Sequence, residues 1–305
     1  MFDISNTGLQ KGCLAGEVAV VTGSTSNVGK GYAQALAWAG AKVVVVGRGA
    51  ERGLAVAEEI NADNGPDTAI FVQADVSQEA DIARLKEEAV AKFGNVDILI
   101  NNAMDMSLNF SLLESPVEDL DRAYGISARA VMLTIHAFVP DMIARGHGTV
   151  TYSTTQFHYV PGMLGGSVYT AAKAAATSAT MSLANEVKGT GVNVFCLCPA
   201  GVGPVRPNSV KEVTESMKAM RMPGFPGPVP PEAAGAAMVW MLLHAEEMHG
   251  TGTIVGDVLE EMDYPFPCPE TLRQWGPSVY LDQMPLTMVL CHMGHGFPKK
   301  QENNT

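Results

Sequence analysis

Val18-Ala19-Val20-Val21-Thr22-Gly23-Ser24-Thr25-Ser26-Asn27-Val28-Gly29-Lys30-Gly31 is the stretch on which the fold turns. A run of apolar, mostly β-branched residues gives way to a glycine-rich turn, and the turn to an alanine-rich helical pattern near 28–39. Strand, turn and helix in that order aim the first amides of a helix, and the positive end of its dipole, at one point beyond the strand. A pyrophosphate suits such a point. A plain tight turn would carry the same glycines, so the meaning rests on what the rest of the chain does.

The rest of the chain repeats the alternation. Apolar runs at Lys42–Gly47, Ala69–Gln73, Val96–Asn101, Gly148–Thr154 and Val192–Cys198 read as strands. Helical patterns cover 50–62, 78–93, 117–145 and 167–188, and another helix starts at Pro230-Pro231-Glu232. Gly252–Asp257 reads as a last strand. Runs as continuous as Lys42-Val43-Val44-Val45-Val46 imply a sheet covered on both faces. The expected architecture is α/β, a doubly wound parallel sheet, in one domain over residues 1–258. Residues 200–230, rich in Pro, Gly and Met, are expected to form a lid with a short helix at 208–220. Met217, Met220 and Met222 would give that lid an adaptable apolar wall and favour a bulky apolar substrate. Residues 259–305 read as a C-terminal extension whose Phe266, Trp275, Tyr280, Met284 and Phe297 pack on this subunit or a neighbour.

A net charge of −12 over 305 residues argues against nucleic acid and anionic membranes as partners. No apolar stretch reads as a membrane span, and the N-terminus lacks the pattern of a signal peptide. Five scattered cysteines, an odd number, read as free thiols in a reducing cytoplasm. Cys196 and Cys198 alternate along a strand, which suits packing. Cys291-His292-Met293-Gly294-His295 has no second ligand cluster to complete it, so no metal is expected.

Two further stretches carry chemistry. Tyr169-Thr170-Ala171-Ala172-Lys173 puts a phenol and an ammonium four apart, on one helix face. A cation beside a phenol stabilises the phenolate, so Tyr169 is expected below the usual value of about 10. A tyrosine tuned in that way passes a proton to or from a substrate oxygen. At the end of the second strand, Val46-Gly47-Arg48 offers no acid to hold a ribose 2′-hydroxyl, whereas Arg48 can pair with a 2′-phosphate. NADP(H) is therefore expected ahead of NAD(H).

Together these pieces resemble the short-chain dehydrogenase/reductase family over roughly residues 14–257. Thr22–Gly29 looks like its T-G-x-x-x-G-x-G turn, Asp75-Val76 matches its adenine-contacting Asp, and Asn101-Asn102-Ala103 is similar to N-N-A-G. Tyr169 and Lys173 fall on Y-x-x-x-K, and Pro199 lies where a P-G follows the sixth strand. The resemblance implies that Tyr169 is the general acid in carbonyl reduction and the base in alcohol oxidation, with Lys173 lowering its pKa and binding the nicotinamide ribose. It also implies that Gly23, Ser26, Asn27, Val28, Gly29, Arg48, Asp75, Val76, Asn102, Ala103 and Val202 line the dinucleotide. A small-molecule carbonyl or alcohol substrate and a homodimer or homotetramer follow in the same way.

Five positions depart from the family pattern. Asn27 replaces a glycine, although Asn tolerates positive φ better than other side chains. Met104 replaces the glycine of N-N-A-G, Ser127 stands where a catalytic Asn is usual, and Pro199-Ala200-Gly201 displaces the P-G by one residue. The place of the family's catalytic serine falls on Thr155, with Ser153 on the same strand face as the second choice. A Thr155 hydroxyl can donate to a substrate oxygen. Gln156 and His158, just beyond it, are expected to reach substrate. The expected function is an NADP(H)-dependent oxidoreductase acting on a carbonyl/secondary alcohol pair. The alternatives are a dinucleotide-binding regulatory or scaffold protein with little turnover, and an epimerase or lyase that uses bound nicotinamide transiently.

Overall fold

The computed structural model describes residues 3–107, 113–155, 167–199 and 230–263. Seven strands form one parallel sheet: β1 (Val18–Thr22), β2 (Lys42–Gly47), β3 (Ala69–Gln73), β4 (Ile98–Asn101), β5 (Gly148–Ser153), β6 (Val192–Cys198) and β7 (Gly252–Ile254). Their order across the sheet is β3-β2-β1-β4-β5-β6-β7. The chain winds outward in one direction from β1 and in the other from β4. Connections therefore diverge at the C-terminal ends of these two strands, where an open α/β sheet leaves its binding crevice.

The helices are α1 (Asn27–Trp38), α2 (Ala50–Asn64), α3 (Glu79–Phe93), α4 (Val117–Tyr124), α5 (Ala130–Arg145), α6 (Ser167–Glu186), α7 (Pro231–Leu243), α8 (Ala245–Met248) and α9 (Val255–Glu261). They cover both faces of the sheet. Ala19, Val21, Val43, Val45, Ile100 and Leu197 pack on one side with Leu36 of α1 and Met238 of α7. Val18, Val20, Val44, Val46, Leu99 and Val150 pack on the other with Leu85 of α3, Phe138 of α5 and Leu183 of α6. Alternate residues of one strand enter opposite cores, which is why the strands read as unbroken apolar runs. The alanine content of α1 and α7 has a steric cause. These helices meet backbone to backbone, and a Cβ at Gly31 would lie 2.1 Å from the Pro231 carbonyl oxygen.

The structure departs from the sequence reading in several places. β4 begins at Ile98, because Asp97 turns its carboxylate to the Val18 amide and to Arg145. The helix expected over 117–145 is interrupted by a π-helical turn at Gly125–Arg129. That run is, contrary to expectation, long and apolar enough to cross a membrane, with a mean hydropathy of 1.3 over an 18-residue window. Val131, Phe138, Val139 and Met142 are nevertheless buried within the protein. The last strand stops at Ile254, and α9 follows, since Val255, Val258 and Leu259 share one helical face buried in the first core. The boundary expected at 258 falls inside α9. Apart from Pro230, the expected lid, its helix at 208–220 and its three methionines lie outside the described residues, as does the extension beyond Asp263.

Candidate active site

The turn after β1 is closed by contact. Gly23 has φ +66°, and a Cβ there would lie 2.7 Å from the Ala103 Cα. A Cβ at Gly29 would lie 2.3 Å from the Gly23 carbonyl oxygen and 2.6 Å from Asn102 Nδ2. Asn102 Nδ2 donates to the carbonyls of Thr22 (3.0 Å) and Gly23 (3.2 Å), while the Asn102 and Ala103 amides donate to Thr22 Oγ1. Asn102 thus clamps the end of β4 to the turn. Asn27 takes φ +47°, the left-handed conformation for which asparagine is the best substitute for glycine. The Ser26 side chain does not cap α1, and no acid occupies its first turn. Ser26 and Asn27 are exposed and Val28 is partly so. An uncapped helix start with no negative charge fits an anionic pyrophosphate.

Next to the turn, Val76 is buried, and Asp75 Oδ1 accepts from the Ser77 amide (3.0 Å) and Oγ (2.7 Å). Arg48 is exposed, yet its guanidinium is engaged: Nη2 donates to Asp105 Oδ2 at 2.8 Å, and Arg122 Nη2 reaches the same oxygen at 3.3 Å. Burial would push the Asp105 carboxyl up, but hydrogen bonds from Ser107 and the Arg48 guanidinium hold it down at about 2. Sequence reasoning missed Asp105. An acid in the loop leaving β4 was the available signal, with nothing local to say that it meets Arg48.

Tyr169 and Lys173 sit where β5, β6 and α6 meet. β5 ends at Ser153, so the strand alternation that put Ser153 and Thr155 on one face does not carry through to Thr155. Their hydroxyls have different partners. The Ser153 Oγ lies 3.4 Å from the hydroxyl of Tyr32, a fully buried residue of α1. Thr155, itself buried, makes a side-chain hydrogen bond with Tyr169. Thr154 between them ties the strand end to α6 through Thr177, whose own hydroxyl donates to the Lys173 carbonyl. Lys173 is buried, and its Nζ donates to the Ser153 carbonyl at 2.6 Å. That Nζ lies 5.8 Å from the centre of the Tyr169 ring.

One electrostatic expectation is overturned here. The Tyr169 phenol is pushed above its usual value, first by burial and then by Cys198 beside it, with the Thr155 hydroxyl pulling part of the way back. Burial also lowers Lys173 to about 8, offset in part by Cys198 and Cys196. Both charged forms lose hydration in the same place, and that loss outweighs their spacing on the helix. Ser127 is likewise turned from the role expected of it. It is buried on the π-helical turn, and its hydroxyl lies 2.7 Å from the Ala123 carbonyl and 3.2 Å from the Ala172 carbonyl. It fastens that turn to α6 one residue before Lys173. Gln156, His158 and Val202 lie outside the described residues. Tyr32 and Tyr152, buried beside Ser153 and Lys173, were not picked out from sequence because their partners come from other elements.

With this geometry in view, the comparisons with known proteins agree on one group. The profile of the family described as short chain dehydrogenase matches residues 17–215. An uncharacterized oxidoreductase of Staphylococcus saprophyticus is 34% identical over 191 residues, covering 62% of this chain and 80% of that protein. Among solved structures, L-sorbose reductase from Gluconobacter frateurii, complexed with NADPH and L-sorbose, superposes with a TM-score of 0.70 at 25% identity, covering 80% of this chain and 97% of that one. The 3-ketoacyl-(acyl-carrier-protein) reductase from Brucella melitensis, complexed with NADH, gives 0.69 at 30% identity, over 79% and 97%.

Proposed function

We propose, from the premise that this chain belongs to the short-chain dehydrogenase/reductase family of oxidoreductases, that it is an NADP(H)-dependent reductase of a ketone or aldehyde carbonyl. The observation that carries the reading is the hydrogen bond joining Thr155 to Tyr169 beside the buried Lys173. A phenol held above its usual pKa is protonated at neutral pH, so Tyr169 stands ready to donate a proton to a carbonyl oxygen as that oxygen becomes an alkoxide. Thr155 supplies a second hydroxyl for the same oxygen. Lys173 contributes positive charge below pH of about 8 and stabilises the phenolate that remains. Nicotinamide, when bound, supplies the hydride. Residues 23 and 26–29 of the turn would hold its pyrophosphate, and Asp75 and Val76 would meet the adenosine. The methionines at 217, 220 and 222 support a bulky, apolar substrate. A homo-oligomer is supported by Met132 and Ile143, large apolar side chains exposed on α5.

NADP(H) is favoured by Arg48 at the end of β2 and by the absence of an acid at Gly47. A rival reading, NAD(H), is favoured by Asp105, which already neutralises Arg48 at 2.8 Å. Separate calorimetric titrations with NADPH and NADH decide between them, followed by ketone-dependent oxidation of the tighter binder. Arg48→Ala should weaken NADPH far more than NADH. Equal losses would remove Arg48 from the cofactor assignment, and binding of neither would remove the dehydrogenase reading.

A further inference from the structure

Lys173 is buried, and the described residues around it offer it little that is charged. From β5 it meets the Ser153 carbonyl at 2.6 Å and the ring of Tyr152; from its own helix, the ring of Tyr169; from β6, the thiols of Cys196 and Cys198. Among the described residues it forms no ion pair. Burial pushes the Cys196 thiol up to about 12, so that group is neutral and gives no counter-charge. A buried ammonium has three donors to satisfy and a large desolvation penalty to offset. Among the described residues, one carbonyl is a thin complement for it.

Tyr152 supplies what is missing. The ammonium sits 4.7 Å from the centre of its ring, closer than to the ring of Tyr169 at 5.8 Å, and within the range at which an aromatic face attracts a cation. Tyr152 is 1% exposed and packs among Val131, Ala176 and Cys196. Its hydroxyl finds no hydrogen-bond partner among the described residues. A buried phenol with an unsatisfied hydroxyl costs stability relative to phenylalanine, so the hydroxyl does not account for an aromatic residue here. The ring facing Lys173 does.

We propose that Tyr152 is a positioning residue for Lys173, its ring face holding the buried ammonium charged and in place behind the Tyr169 phenol. The inference gives a further support to the site assigned above, and its test reads Lys173 directly rather than turnover. Full-length protein carrying 13Cε-lysine is titrated by NMR, with the Lys173 signal identified by its loss in Lys173→Met. Position 152 is then occupied by Tyr, by Phe (Tyr152→Phe) and by trifluorophenylalanine, which keeps the shape of the ring but removes the negative face. The expected result is that Tyr152→Phe leaves the Lys173 midpoint where it was, while the fluorinated ring lowers it by about half to one pH unit. An unmoved midpoint on fluorination overturns the proposal. So does an equal fall in Tyr152→Phe, which would assign the effect to the hydroxyl. Because the fluorinated ring is nearly isosteric, the comparison does not depend on a cavity-forming variant folding. A shift with fluorination in a protein that oxidises no nicotinamide would leave this inference standing and remove the reductase reading.

Discussion

The glycine turn after β1 and the Tyr169–Lys173 pair on α6 stand at the same end of one sheet but are held by different physics. At the turn, atoms are fixed by contact: Gly23, Gly29 and Asn102 are so close that one added methyl group would overlap a backbone oxygen. At the pair, groups are fixed by hydrogen bonds and a ring face, and their protonation is set by burial. The first arrangement tolerates almost no change of shape. The second tolerates isosteric changes but is sensitive to where protons and charges lie. On the proposed function, a nucleotide cradle would need fixed backbone donors and proton transfer would need tunable groups, and the two ends divide in that way.

This contrast gives graded expectations. Tyr169→Phe keeps the shape of α6 and removes the proposed proton donor. Turnover should fall by about 10³-fold, equivalent to about 4 kcal/mol, with the melting temperature and nucleotide affinity close to wild type. Retained turnover would break the comparison at its catalytic side. Gly29→Ala should do the reverse: a loss of about 3 kcal/mol in unfolding free energy by chemical denaturation, with nucleotide binding lost alongside it. Thr155→Val removes a hydroxyl at nearly constant volume and should cost about 10²-fold in turnover, which Thr155→Ser restores. An equal loss in Ser153→Ala would move the assignment to the other hydroxyl.

The fourth expectation concerns pH. Lys173 titrates at about 8 when folded and at 10.5 when unfolded, so between those values the unfolded chain holds more protons and stability rises with pH. Cys196, Tyr32, Tyr152 and Tyr169 are all held above their usual values, which opposes that rise as the unfolded thiol and phenols ionise. Relative to Lys173→Met, wild-type protein should therefore gain up to about 2 kcal/mol from pH 8 to pH 10, the difference isolating the lysine from the thiol and phenols common to both. Parallel curves for the two proteins would show that the lysine is not buried as charge. The smallest effect belongs to the turn: Asn27→Val should cost about 1 kcal/mol in the left-handed conformation, and Asn27→Gly close to nothing.

The sequence alone determined whatever depends on neighbours within a turn or two. Continuous β-branched runs placed β1, β2, β3 and β6 at their observed limits, the glycine spacing placed the start of α1, and the left-handed tolerance of asparagine foretold Asn27. The i, i+4 spacing put Tyr169 and Lys173 on one helix. Only the tertiary structure decided what those residues experience. Arg48 meets Asp105, 57 positions away; Lys173 meets Tyr152 from another strand; Ser127 joins the carbonyl of Ala172 across two helices. The direction of the Tyr169 shift was misread for the same reason. Propensity and periodicity act along the chain, whereas desolvation is summed over everything that packs around a group, and most of that comes from distant segments. Where α9 took the last residues of the strand expected at Gly252–Asp257, a buried helical face similarly overrode the local pattern.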